Sequence, residues 1–231
     1  GSRLTPAPAR RGRRPSAAAR ALDSLPPCHP PRLPWWDDEH PQSALEAAAR
    51  CGQAAPAIAH MWHMSGHSFS DLQRYGDAAW QQEASARVDH AYMMRDRIFP
   101  DQIHNYSHNN EWLTRDMMFA GRVYDAIEMA KGLIRNPAHP KYNAYDSKKS
   151  FGYGRERLCD ALTAYELWDD AICLADSPYL EPTALEAEQI RRLRMIGRAS
   201  FRKGDAQRGC EILNDCLRKR QAVFDERDVA V

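Results

Sequence analysis

The sequence predicts an all-α fold: a solenoid of stacked antiparallel helix hairpins behind an extended N-terminal arm. Three observations carry that reading. A helix–turn–helix unit recurs along the chain, eight of the fifteen prolines crowd into the first 34 residues, and no alternating β-branched run flanks a hairpin dipeptide.

The arm comes first. Residues 1–42 hold those prolines, and within the first twenty stand six arginines (Arg3, Arg10, Arg11, Arg13, Arg14 and Arg20) and no acid. Prolines this dense exclude regular helix, and without interleaved aromatics the arginines read as a solvated tail rather than a nucleic-acid contact. Trp35 and Trp36 are expected to anchor the end of the arm on the folded body. The chain opens Gly-Ser, which reads as a cleavage scar or the start of an internal fragment, so a native targeting signal is not legible.

The folded part is expected over 43–231. Gln42–Arg50 is a helix-forming run, with Gly52 suited to a C-terminal cap. Turns then recur at Arg74–Ala79, Ala120–Ile127, Leu167–Ile172 and Arg202–Gln207. Each is followed by a second helix, starting near Asp77, Tyr124, Asp169 and Asp205. The alanine after the acid (Ala78, Ala126, Ala171, Ala206) recurs at intervals of 48, 45 and 35 residues. A small side chain there lets the two helices of a hairpin approach closely. Leu213–Arg220 is polar enough to cover the end of the array.

Composition excludes several function classes. With 32 Lys plus Arg against 31 Asp plus Glu, the net charge is +1, so no nucleic-acid partner is expected. No run of eighteen apolar residues occurs, which predicts no membrane span and a soluble protein, cytoplasmic or periplasmic. The six cysteines form no CxxC, and Cys210 and Cys216 stand too far apart for one zinc grip, so most are expected to be buried as small hydrophobes. Phosphate loops, nucleophile elbows and HExxH are absent from the sequence.

One cluster carries chemistry. His60, His63 and His67 stand at i, i+3 and i+7 on a first helix, within about 60° of one another around its axis. His104, His108 and Glu111 repeat the device at i, i+4 and i+7 on the next first helix, provided that helix includes His104; Ser107 as N-cap would leave His104 in the loop. Imidazoles with a carboxylate make a competent set for Zn, Cu or Fe, and six methionines between residues 61 and 118 raise copper. The same stripes equally suit a hydrogen-bonded groove, and Met at helical spacing suits core. His90, a lone histidine on the intervening helix, is read as a packing or surface residue rather than a ligand, and Asp89, Asp96 and Asp101 as solvated acids.

The stretch from Ala59 to Pro137 resembles a bacterial tetratricopeptide-repeat family found in planctomycete-like genomes. Its members carry a His-x-x-His-Met-x-x-His helix, a Gly-Arg-Tyr-x-Asp-Ala turn, and a Pro-His-Asn-x-His helix ending in a Met-x-Gly-Arg turn. Here the matching residues are His60, His63, Met64 and His67, then Tyr75–Ala78, His108-Asn109, and Met118 with Gly121-Arg122; Ser107 and Glu111 depart from the pattern. The resemblance implies the repeat fold and transfers no activity. The first expectation is therefore a scaffold whose histidine-rich groove binds a peptide or protein partner, and the second is a metal-binding enzyme or carrier built on the histidines.

Overall fold

The computed structural model describes residues 41–137, 139–143 and 149–229, with the side chains of 41–43, 104 and 222–229 excepted. The expectations for residues 1–40, including the anchoring tryptophans, lie outside the described residues.

Every regular element among the described residues is helical, and no strand occurs. In chain order these are α1 (Pro41–Ala54), α2 (Ala59–Asp71), α3 (Tyr75–Asp96), α4 (His104–Phe119), α5 (Val123–Ile134), α6 (Ser150–Ala164), α7 (Trp168–Leu174), α8 (Glu186–Arg202) and α9 (Ala206–Val229), with a single 3-10 turn at Pro100–Gln102. Each helix packs on the next. The first helices of successive hairpins (α2, α4, α6 and α8) also touch in sequence.

Four hairpin turns share one backbone design. The residue second after each first helix takes a left-handed conformation: Gln73 at φ 58°, Gly121 at 79°, Glu166 at 54° and Gly204 at 87°. The next amide then reaches back five residues, as Arg74 N to Phe69 O at 2.9 Å, Arg122 N to Met117 O at 2.9 Å, Leu167 N to Leu162 O at 3.0 Å and Asp205 N to Ser200 O at 2.9 Å. This is the Schellman closure of a helix C-terminus. Arginine immediately precedes two of the second helices and pairs three residues on, Arg74 with Asp77 at 2.8 Å and Arg122 with Asp125 at 2.9 Å.

The structure corrects the sequence reading at several places in this frame. Gly76 lies inside α3, and the non-glycine Gln73 makes the first turn. Ala78, Ala126 and Ala171 are buried as expected, but Ala206 is exposed and its structural equivalent is Gly209. Gly209 donates to Asp205 O at 3.0 Å as Ala78 does to Arg74 O, and a Cβ there would lie 2.5 Å from the Phe201 ring. Gly52 does not end a helix; α1 continues to Ala54, and the glycine makes room for the Trp62 indole, 2.3 Å from where its Cβ would be.

The main core runs from α4 to α8 through Leu113, Ala126, Leu158, Leu162, Trp168 and Met195, with smaller clusters around Cys51–Met64 and Ala48–Phe69–Ala78. Cys51, Cys159 and Cys216 are buried, whereas Cys173 and Cys210 are exposed. The last hairpin is not covered by polar residues alone. Ala187, Ile190, Leu213 and Leu217 line a groove of about 460 Å³ between α8 and α9, rimmed by Arg191, Arg194 and Arg220.

Candidate metal centre

The α2–α4 contact brings three imidazoles together. His63 and His67 stand one turn apart on α2 and His108 faces them from α4, with donor nitrogens all within 4.8 Å of one another. His63 is buried; His67 and His108 are half-buried, so the group meets solvent on one side. The His63 ring centroid lies 4.5 Å from that of His67 and 4.7 Å from that of His108. Trp112 stands edge-on to all three rings, closest to His67 at 4.1 Å. Tyr153 of α6 stands 6.2 Å from His108.

A residue that the sequence reading did not single out fixes the chemistry of His63. Gln82, buried on α3, donates its amide N–H to the His63 carbonyl at 3.2 Å, which turns its own oxygen to His63 Nδ1 at 2.7 Å. An acceptor there requires the proton on Nδ1 and leaves a lone pair on Nε2. Burial first, then the neighbouring His67 and His108, push the His63 pKa down to about 3, so the ring is neutral at any ordinary pH. Gly66 is a condition of this arrangement, because a Cβ on it would fall 2.3 Å from Gln82 Nε2. In the sequence Gln82, Ser85 and Asp89 stand at i, i+3 and i+7 beside Ala78 and Ala86, a buried polar stripe that could have been read.

His63 Nε2 and His67 Nε2 are 2.8 Å apart. Two imidazoles bound tetrahedrally to one ion, with bonds of about 2.0–2.1 Å, hold their donors roughly 3.3 Å apart. At 2.8 Å the pair is a hydrogen bond in which His67 Nε2–H donates to the His63 Nε2 lone pair, and the two nitrogens lie about half an ångström closer than that bite.

The other candidates fall elsewhere. His60 is exposed and stacks on His63 at 5.9 Å between centroids, outside the converging group. His104 begins α4, so Ser107 is not its N-cap; the His104 side chain lies outside the described residues. Glu111 is buried and 3.9 Å from His108 Nδ1, but its carboxylate is turned to Arg157, which also binds Asp160. Burial raises the Glu111 pKa against the pull of Arg157. The sulfur argument for copper loses its support: Met64 packs on Cys51, Met117 and Met118 enter the main core, and Met94 is 68% exposed.

Asp89 and Asp101 are not solvated acids. Asp101 is buried as acceptor for the hydroxyls of Ser107 and Ser150 and for the Ser150 amide at 2.9 Å, so it ties the loop before α4 to the start of α6. Asp89 accepts from Asn109 Nδ2 at 2.7 Å, and burial raises its pKa to about 6. Asp96 is exposed beside Arg95 as expected, and His90 is exposed. Near the centre, burial lifts Asp116 to about 7 although Ser70 donates to it at 2.9 Å.

A raised carboxyl sets a direction for stability against pH. Below about pH 4 both folded and unfolded Asp89 are protonated and its contribution is intact. As pH climbs from about 4 to 6 the unfolded carboxyl ionises first, and stability is lost. Asp89→Asn, which keeps an acceptor for Asn109, is therefore expected to flatten that slope and to exceed the parent by roughly 1–3 kcal/mol at pH 8. Urea melts at pH 5 and pH 8 read the difference; equal slopes in the two proteins would refute it.

No family model, curated protein or solved structure matches this chain.

Proposed function

We propose that the chain is a tetratricopeptide-like helical-repeat protein of bacterial type whose function is to bind a transition metal ion through His63, His67 and His108. The convergence of the three donors carries the reading. Neutral imidazoles suit Zn, Cu or Fe, and three protein ligands leave positions open for water or a ligand. Gln82 supplies the outer hydrogen bond that a ligating imidazole normally has, fixing tautomer and ring orientation. The four turns closed by the same backbone hydrogen bond and the contacts between successive first helices support the repeat reading.

A second reading, a scaffold for a peptide or protein partner, is favoured by the arginine-rimmed groove between α8 and α9. One preparation separates the two. Protein purified without affinity tag or chelator is expected to hold one metal ion per chain by elemental analysis. His63→Ala is expected to weaken binding at least about 100-fold, the upper end of the loss seen for an outer partner. A metal-free parent that also fails to take up added Zn(II) or Co(II) would leave only the scaffold.

A further inference from the structure

We propose that the groove between α8 and α9 is a docking site for an amphipathic helix of a partner protein, one that carries acidic residues beside its apolar stripe. The inference is independent of the metal centre and rests on the scaffold reading, whose partner it names. The packing of the chain indicates what fills such a groove. Each later first helix lies across both helices of the hairpin before it: α4 on α2 and α3, α6 on α4 and α5, α8 on α6 and α7. Among the described residues the corresponding slot on α8 and α9 is open.

The two helices line the slot with matched spacing. On α8 the lining runs from Ala187 to Arg194 and on α9 from Leu213 to Arg220, both at i, i+3, i+4 and i+7, so each helix turns one stripe to the same space of about 460 Å³. A third helix seated there meets both stripes at once, as α8 does on α6 and α7. Ile190 and Leu213 are half-buried and Leu217 is 62% exposed, so the floor has apolar surface left to cover. Burial of that surface supplies attraction without choosing a sequence.

The rim chooses. Where α8 meets the preceding hairpin, bases at its two ends take that hairpin's acids: Arg191 with Glu156 at 3.4 Å, Arg202 with Glu166 at 2.7 Å and Lys203 with Asp169 at 2.7 Å. At the open slot, Arg194 and Arg220 are exposed and, among the described residues, carry no ion pair. Two guanidiniums on one rim favour acids on the incoming helix and repel bases, while exposed pairs add little to affinity by themselves. The apolar stripe and the acidic flank together define the partner.

The test uses the full chain and two fluorescently labelled helical peptides with leucine at i, i+3, i+4 and i+7, one with glutamate at the other positions and one with lysine. Anisotropy is expected to show saturable binding of the glutamate peptide, at least about tenfold tighter than the lysine one at low salt. Leu217→Asp, at a position exposed enough to leave the core intact, should weaken that binding about tenfold or more. Arg194→Glu with Arg220→Glu should reverse the preference. Equal binding of the two peptides, or binding that Leu217→Asp does not touch, overturns the acidic helix and leaves the scaffold reading in place. If neither peptide binds, the scaffold reading loses its groove as well. Two further results give the slot to another occupant and overturn the proposal. One is tighter peptide binding once Asp37→Asn, Asp38→Asn and Glu39→Gln remove the acids beside Trp36, which would make the arm the occupant. The other is a concentration-dependent dimer, by light scattering, that Leu217→Asp dissolves, which would make it a second copy of the chain.

Discussion

Gly66→Ala is expected to destabilise the protein by about 2–4 kcal/mol and to weaken metal binding roughly 10- to 100-fold, although it adds a single methyl group to a helix. In an open helical position the same change would stabilise, by about 0.5–1 kcal/mol. At Gly66 the new Cβ would lie 2.3 Å from Gln82 Nε2 and 2.8 Å from Gln82 Cδ, so the amide must leave. Overpacking of this kind costs about 1–3 kcal/mol, and the buried groups of His63 that Gln82 served add about 1–3 more. Without Gln82 the His63 ring loses the bond that sets its tautomer, and loss of such an outer partner typically costs 10- to 100-fold in affinity. Gly76→Ala is the control, because nothing lies within 4 Å of a Cβ built there. Denaturation melts and Co(II) titration of the two variants should move in opposite directions in stability, with affinity lost only at Gly66. Parallel behaviour would mean that Gln82 does not hold the site.

How much of this was legible in the sequence depends on the length scale of the signal. The second helices were placed within two residues of where they begin, because an acid or small residue after a turn marks a local event. The turn residue itself was missed at Gln73 and Glu166, since backbone closure can force a left-handed conformation on residues with no intrinsic preference for it. The i, i+4 pair His63 and His67 was legible because one helix fixes it. The third member required knowing how α4 packs on α2, and spacing alone could not separate His108 from Glu111. Their difference lies in Arg157, 46 residues further on, which draws the Glu111 carboxylate away. Gln82 and Gly66 escaped for the same reason: each is defined by the other across a helix interface. Asp89 and Asp101 were misread because an acid in a polar stretch looks solvated until a second element is laid over it.

Asp101→Ala is expected to cost about 3–5 kcal/mol, more than any other single polar truncation near the centre. Asp101 belongs to the 3-10 turn Pro100–Gln102 and is 3% exposed, yet its partners are Ser107 in the first turn of α4 and Ser150 at the start of α6, 49 residues away. Two hydroxyls and one amide donate to this carboxylate, and hydrogen bonds to a charged group contribute roughly 1.5–3 kcal/mol each, less than additively in a shared site. Removal also leaves the buried Ser107 and Ser150 donors unserved and takes a negative charge from the N-terminus of α6, where the helix dipole favours it. The consequence reaches the centre through rigid elements. Helix α4 carries His108, and α6 carries Tyr153 and Arg157, the residue that restrains Glu111. A looser α4–α6 joint should therefore free Glu111 to approach His108. The expected result is a large drop in the urea midpoint together with a change in the Co(II) spectrum of protein that remains folded, while Asp101→Asn, which keeps one acceptor oxygen but no charge, falls between. A midpoint unchanged within about 0.5 kcal/mol would show that the buried carboxylate holds nothing in place.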